Sequence, residues 1–241
     1  MNSLRICILL NKFDELDFEP LINHYLPREK FEVEIAEVFP EHPSDYQLII
    51  PWSYQLIIKQ AEQARNVVVM HSSNLPEGRG WAPIYFSFRE QKPEYVISGI
   101  FAADEVDSGD VIVRARFPIE DGYTAPFIRQ VDKEISLLLI ARILEKWPSG
   151  NIKAIKQSGR GSYRARRAPQ DNEVDMNRTL EDLLPHLRGV EPNNPAFFFF
   201  NGLKYLIEVR PELAPVFPKQ VTIEYPGLNE IEIWSGEHDS P

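Results

Sequence analysis

The sequence predicts an α/β fold from three observations. Short β-rich runs alternate with helix-length segments over residues 1–150. The apolar run 67–70 stops abruptly at a histidine, as a buried strand of a parallel sheet does. Beyond residue 150, an arginine- and glycine-rich stretch precedes short paired β-rich runs. We predict an abbreviated Rossmann-like core in residues 1–150 and a small C-terminal α+β and β-hairpin appendage in residues 151–241.

The first half of the chain alternates predicted strands with crossovers. The predicted strands are residues 4–10, 31–38, 46–50 and 67–70. Residues 17–25 and 54–64 are predicted as the crossovers, the second of them amphipathic. No GxGxxG motif follows the first strand, where Asn11 to Asp14 stand instead, so no nicotinamide cofactor is predicted.

The second half is predicted to contain two helices and two hairpins. Strands are predicted at residues 97–102 and 111–116, around an acidic loop. A helix is predicted over residues 126–147, ended by Pro148, Ser149 and Gly150. A shorter helix is predicted over residues 179–188, with Asn177 as its N-cap. Asn201-Gly202 predicts one hairpin turn and Pro226-Gly227, between residues 221–225 and 230–234, predicts the other.

Composition narrows the class of protein. The chain has 241 residues, of which 43% are hydrophobic, enough for one ordinary core and a small appendage. A formal net charge of -10 argues against a nucleic-acid partner, since neutralising phosphates needs a basic face. A single cysteine excludes a disulfide framework, and no apolar run has membrane-spanning length. Because the first residues lead directly into a strand, we expect no signal peptide and a cytoplasmic location.

No metal site is predicted. Cys7 lies inside the first predicted strand, and the histidines other than His71 are scattered without ligand spacing.

A candidate acid and base follow two of the predicted strands. His71 comes directly after residues 67–70 and opens a turn-forming segment that contains Ser73, Pro76 and Gly78. Asp107 lies in the sequence Val-Asp-Ser-Gly-Asp before another β-rich run. Taken separately, a histidine after a strand is more often a structural residue, and Asp-Ser-Gly-Asp is usually a turn.

Taken together, these segments resemble a known enzyme family. The pattern HxSxLPxxRGxxP from His71 to Pro83, followed by DSGD from Asp107, is similar to that of the formyltransferases. That family includes methionyl-tRNA formyltransferase, glycinamide ribonucleotide transformylase and the sugar N-formyltransferases. The resemblance covers most of the chain, and it implies a formyltransferase core that transfers a formyl group from N10-formyltetrahydrofolate to a primary amine.

The resemblance implies roles for three residues. His71 would polarise the formyl group or stabilise the tetrahedral oxyanion, and Asp107 would orient His71 and relay a proton. The family asparagine two residues before the histidine is replaced here by Val69. Asn74 is the nearest amide that can replace it, although a turn asparagine without a catalytic role is an equal alternative.

The resemblance also implies the binding sites. The folate site would involve Pro51, Trp52, Ser53, Asp104 and Val106. Trp52 would pack on the folate or, alternatively, serve as an ordinary core or surface tryptophan. The acceptor site would involve Ser73, Arg79, Gly80, Trp81, Tyr163, Arg164, Arg166 and Arg167. The basic stretch that holds the last four is either a solvated loop or an anion clamp, because guanidinium groups match diphosphates and carboxylates.

The later motifs are similar to those of a short, sugar-type subgroup. They comprise the basic stretch, Asp171, Asp175 and the sequence from Asn194 to Phe198. We therefore expect an amino-sugar acceptor, linked to a nucleotide and destined for surface glycan, with a homodimer as a possible assembly. The alternatives are another small amine, hydrolysis of the formyl donor, and a non-catalytic folate- or sugar-binding protein.

Overall fold

The structure is a computed structural model that describes residues 3–10, 15–52, 54, 58, 66–147 and 152–235, with the backbone alone for residues 15–18. Three parallel strands form one side of its main sheet, in the order β2 (Phe31–Ala36), β1 (Leu4–Leu9), β3 (Leu48–Pro51). Helix α1 (Glu15–Tyr25) lies between β1 and β2 in the chain, as predicted. The predicted crossover at residues 54–64 lies outside the described residues, apart from positions 54 and 58.

Strand β4 (Val68–His71) joins the parallel strands to an antiparallel group. One parallel bridge, between Ile49 and Val67, links it to β3, while its other edge pairs antiparallel with β6 (Glu94–Phe101). The antiparallel group has the order β12 (Glu230–Trp234), β11 (Val221–Tyr225), β7 (Val111–Pro118), β6 (Glu94–Phe101), β4. Strand β4 was predicted to be parallel, and this is confirmed only on its β3 side.

The predicted long helix is confirmed as α3 (Ala125–Lys146), and it carries much of the core. It has proline in its first turn and Lys146 in its last, as helix termini favour. Its buried apolar side chains, including Ile128, Ile135 and Leu139, join the core cluster of the sheet. Burying each such side chain stabilises the fold by about 1.5–3 kcal/mol.

The final hairpin, β11 and β12, forms where it was predicted. Strand β11 pairs with β7, and Val221, Ile223 and Tyr225 are buried in the main core. This hairpin therefore adds two strands to the edge of the core sheet. The division of the chain at residue 150 stays a proposal, and that position lies outside the described residues.

A smaller layer packs beside the main sheet. It consists of α2 (Pro83–Arg89), α4 (Leu180–Gly189) and a hairpin of β9 (Ala196–Phe200) and β10 (Leu203–Ile207). Asn201 and Gly202 both have positive φ, 49° and 78°, which the predicted Asn-Gly turn requires. The predicted N-cap of α4 is wrong. Thr179 caps the helix by accepting from the Asp182 N–H, while Asn177 bonds back to Asp175 in the preceding turn.

Within the described ranges, no helix is long and apolar enough to cross a membrane.

Candidate active site

The structure brings His71 and Asp107 together. His71 ends β4, and Asp107 lies on the loop between the neighbouring strands β6 and β7. His71 Nδ1 is 3.3 Å from Asp107 Oδ2, and the two side chains are only 9% and 11% exposed. A histidine and a carboxylate in contact at a strand end can relay a proton.

Backbone geometry holds Asp107 against the histidine. Asp107 has a φ of 54°, in the left-handed region, which turns the chain sharply at the acidic loop. The Gly80 N–H donates to Asp107 Oδ2 at 2.9 Å, so the same oxygen contacts both Gly80 and His71. The carboxylate therefore orients the ring while being fixed itself.

The other nitrogen of the His71 ring faces a backbone oxygen. His71 Nε2 is 2.9 Å from the Gly78 carbonyl oxygen. A neutral imidazole can donate from one nitrogen only, whereas the imidazolium form donates from both. The ring between Asp107 and Gly78 thus has an acceptor on each side, an arrangement suited to gaining and passing on a proton.

A two-residue strand pair fixes the loop that carries Gly80. β5 (Arg79–Gly80) pairs in parallel with β8 (Tyr163–Arg164). Gly80 has a φ of 92°, and a Cβ there would collide with the Arg164 carbonyl oxygen. Only glycine fits this close approach. The pairing brings the basic stretch onto the segment between β4 and α2, residues 72–82, which we call the catalytic loop.

Gln157 is a site residue that the sequence interpretation missed. Its Nε2 donates to the Asp107 and Gly109 carbonyl oxygens, each at 2.8 Å. Its Oε1 accepts from the Arg79 guanidinium at 2.6 and 3.1 Å. Gln157 thus ties the acidic loop to the catalytic loop, but a single glutamine beside a basic stretch carries no local signal of that role.

Ser73 and Trp81, two further residues predicted for the acceptor site, make backbone hydrogen bonds to other segments of the chain. The Ser73 carbonyl oxygen accepts from the Ser98 hydroxyl at 2.7 Å. The Trp81 N–H donates to the Arg164 carbonyl oxygen at 3.0 Å. The Tyr163 side chain is 58% exposed.

The three arginines of the basic stretch that were predicted to bind the acceptor pack on helix α2 and on Trp81, which precedes it. Arg164 pairs with Glu90 and lies over the Phe86 ring at 4.9 Å. Arg167 lies over Tyr85 at 3.3 Å and donates to Asn172, and burial lowers the pKa of its guanidinium.

Arg166 is placed differently. Its guanidinium lies over the Trp81 ring at 4.8 Å, and within the described part of the chain it makes no ion pair. Of the three arginines, Arg166 is the one most accessible to an anionic ligand.

The residues predicted to bind folate differ in their exposure to solvent. Pro51 and Trp52 are buried, and the 3% exposed Trp52 belongs to the main core cluster, which favours its interpretation as a core residue. Asp104 and Val106 are exposed on the acidic loop beside Asp107, and Val106 is 47% exposed. Ser53 lies outside the described residues.

Asn74 does not line the space around His71 and Asp107. It is exposed and borders a cavity of about 200 Å³ between the catalytic loop and α2, which neither His71 nor Asp107 lines. Val69, at the position of the family asparagine, packs against an apolar cluster of Leu75, Ile100 and Val111. The structure gives no contact that replaces the missing amide with Asn74.

Among the described residues, no group of three or more His, Cys, Asp or Glu side chains is placed to hold a metal ion.

Comparison with known proteins agrees with this fold. No family model matches the chain. It is 26% identical over 178 residues to the methionyl-tRNA formyltransferase of Pediococcus pentosaceus, a match covering 71% of this chain and 54% of that relative. The chain therefore spans about half the length of that curated relative.

Solved structures show the same fold. HypX from Aquifex aeolicus, in complex with tetrahydrofolic acid, matches 92% of this chain and 42% of its own, with a TM-score of 0.71 and 19% identity. A 4-N formyltransferase from Francisella tularensis matches 88% of this chain and 99% of its own, with a TM-score of 0.69 and 18% identity. The α/β core is thus a formyltransferase fold. The predicted resemblance to the folate-dependent formyltransferases is supported by the sequence relative, and their fold by the solved structures.

Proposed function

We propose that this protein is an N-formyltransferase that moves the formyl group of N10-formyltetrahydrofolate to the primary amine of an amino sugar. The contact between His71 Nδ1 and Asp107 Oδ2, 3.3 Å long, carries the proposal. The sequence relatives and the tetrahydrofolate complex of HypX support the donor. Exposed Asp104 and Val106, on the same loop as Asp107, leave a surface for it to contact.

The proposed reaction needs an oxyanion stabiliser and a proton path. The neutral amine attacks the formyl carbon, a C–N bond forms, and the carbonyl oxygen becomes an oxyanion. His71 stabilises that charge, and the attacking nitrogen loses its proton through the His71–Asp107 pair. The bond from carbon to N10 then breaks and N10 gains a proton, giving a formamide and tetrahydrofolate. Losing one oxyanion donor typically costs about 2.7–4 kcal/mol of transition-state stabilisation.

The acceptor is proposed from two observations. A net charge of -10 disfavours a nucleic-acid substrate, whose phosphates need a basic face. A sugar N-formyltransferase from Shewanella sp FDAARGOS_354 matches 89% of this chain and 100% of its own, with a TM-score of 0.69 and 16% identity. We extend the proposal to a nucleotide-linked amino-deoxy sugar that is a precursor of surface glycan. We also propose that the protein acts in the cytoplasm. The test is to incubate the protein with the donor and a panel of such sugars and to detect a formylated product by mass spectrometry.

Arg166 is expected to contact the nucleotide diphosphate. Arg166→Ala should raise the acceptor KM about tenfold for a diphosphate-linked sugar, because a guanidinium–phosphate contact is lost. The KM for the donor should not change. Arg210→Ala, which removes an exposed arginine paired with Glu208, is the matched control and should leave both KM values unchanged. An unchanged acceptor KM in Arg166→Ala, Arg164→Ala and Arg167→Ala would exclude the anion clamp.

We further propose that the protein forms a homodimer through the β9–β10 hairpin. Both faces of this ribbon carry exposed apolar side chains, including Phe199, Phe200, Leu203 and Leu206, which are 54–66% exposed. Exposed apolar surfaces of this kind mark association sites.

The hairpin proposal predicts a change in assembly. The double variant Phe200→Lys and Leu203→Glu should shift a dimer to a monomer in analytical ultracentrifugation, because it places charges where apolar contacts are needed. Val38→Lys, at another exposed apolar position, should leave the dimer intact. A wild-type monomer at high protein concentration would rule out the dimer.

The apolar setting of Val69 favours a second candidate function, a folate- or sugar-binding protein without catalysis. A valine cannot donate the hydrogen bond that the family asparagine offers. Tight folate binding with no turnover over a broad amine panel would support this function. Formate release without any amine would instead indicate hydrolysis of the donor.

A further inference from the structure

A buried carboxylate in α3 contacts the chain next to His71. Asp132 is only 4% exposed, and its Oδ2 accepts hydrogen bonds from the Ser72 hydroxyl and the Tyr95 hydroxyl, each at 2.6 Å. Ser136, one helical turn further on, donates to the other oxygen at 3.3 Å. Burying a carboxylate lowers the stability of the fold unless the group is well hydrogen-bonded. The presence of such a group beside the catalytic loop therefore suggests a specific role for it.

The position of Ser72 supplies that explanation. Ser72 directly follows His71, and successive side chains at a strand end point to opposite faces of the sheet. His71 therefore points towards Asp107 while Ser72 points towards α3. A short bond from Ser72 to a fixed carboxylate holds the backbone beside His71, and so restricts the direction of the imidazole ring.

Two further hydrogen bonds hold the backbone of the catalytic loop just after Ser72. The Ser73 carbonyl oxygen accepts from Ser98, and the Leu75 carbonyl oxygen accepts from the Arg114 guanidinium at 2.9 Å. Both anchors act on backbone oxygens. Ser72 is the residue whose own side chain reaches across to the helix layer.

Tyr95 keeps the carboxylate in place. It is fully buried, and burial together with Asp132 holds the pKa of its phenol well above the usual value. The phenol therefore stays protonated at neutral pH and donates to Asp132. Tyr95, which lies in β6, holds the Asp132 side chain so that its Oδ2 faces the Ser72 hydroxyl.

We propose that Asp132 is a positioning residue for formyl transfer: through Ser72 it sets the direction of the His71 ring relative to Asp107. This inference rests on the proposed function. Asp132 acts without touching the reacting atoms, because its contacts reach Ser72, Tyr95 and Ser136.

Removing the Ser72 hydroxyl tests the proposal. Ser72→Ala should lower kcat about tenfold or more, since small displacements of a catalytic group are costly, and should change neither KM by more than about twofold. Ser72→Thr keeps the hydroxyl and should restore kcat. Ser136→Ala removes a bond to the same carboxylate but none to the loop, and it should retain kcat.

A double-mutant cycle separates positioning from general weakening of the fold. Asp132→Asn should lower kcat in the wild-type background and have no further effect in Ser72→Ala, because the two residues act through one bond. Equal losses in Ser72→Ala and Ser72→Thr, or additive effects in the cycle, would overturn the proposal.

An activity-independent measurement keeps this test distinct from the proposed function. In NMR spectra of the protein alone, the imidazole resonances of His71 should shift in Ser72→Ala and return in Ser72→Thr. If the wild type transfers no formyl group, the proposed function fails, while this comparison still decides whether Asp132 positions the ring. Unchanged His71 resonances in Ser72→Ala would overturn the positioning role.

Discussion

Replacing Asp107 by asparagine should lower kcat for formyl transfer about a thousandfold while leaving both KM values within about threefold. The asparagine side chain has nearly the same shape, so the Gly80 N–H can still find an acceptor. The amide oxygen that replaces Oδ2 carries no charge, however, so it can neither take up a proton nor stabilise the imidazolium form of His71. Single-turnover rates with N10-formyltetrahydrofolate and the identified acceptor measure the chemical step directly.

A neighbouring acid gives the matched control for this variant. Asp110 lies in the same loop and contributes its backbone carbonyl to the Phe101 N–H, so Asp110→Asn leaves that contact in place. It should retain kcat to within about twofold. If Asp107→Asn kept a third or more of the wild-type kcat, the pair would not be the proton path.

Replacing Gly109 by alanine should damage both stability and activity. A Cβ at this position would collide with the Phe101 carbonyl oxygen, and the backbone oxygen of Gly109 accepts from Gln157. The acidic loop must therefore shift, moving Asp107 away from His71. We expect a loss of about 1–3 kcal/mol in the free energy of unfolding and a fall in kcat of about a hundredfold.

Gly122→Ala is the matched control for Gly109→Ala. Its added Cβ would meet no atom within 4 Å, and Gly122 has no positive φ. Urea denaturation should give it the wild-type free energy of unfolding, and kcat should not change. A Gly109→Ala protein as stable and as active as Gly122→Ala would show that the acidic loop tolerates displacement.

Regular elements of the fold could be predicted because their patterns are local. The β-branched runs of the sheet, the apolar stripe of α3 and the Asn-Gly turn after β9 each carry their own periodicity or turn chemistry. Helix α2 was not predicted, since it has seven residues and begins after Ala82 in a left-handed conformation. The pairing of β5 with β8 joins segments more than eighty residues apart, and two-residue strands have no periodicity to detect.

The candidate site was predictable only in part. The pairing of His71 with Asp107 followed from a motif resemblance, and the structure places the two side chains in contact. The contacts of Gln157 and Asp132 could not be predicted, because polar side chains that meet through tertiary packing leave no pattern in the sequence. The aromatic partners of Arg164 and Arg167 depend on α2, which was itself unpredicted.

Transfer of labelled formyl carbon tests the central claim most directly. The protein would be incubated with N10-formyltetrahydrofolate labelled with ¹³C in the formyl group and with a panel of nucleotide-linked amino sugars, and products would be analysed by mass spectrometry. We expect one acceptor to gain the labelled formyl group in the wild type and to remain unmodified with His71→Ala. Labelled product formed equally by wild type and His71→Ala, or folate binding without any labelled product, would contradict the proposed catalytic site.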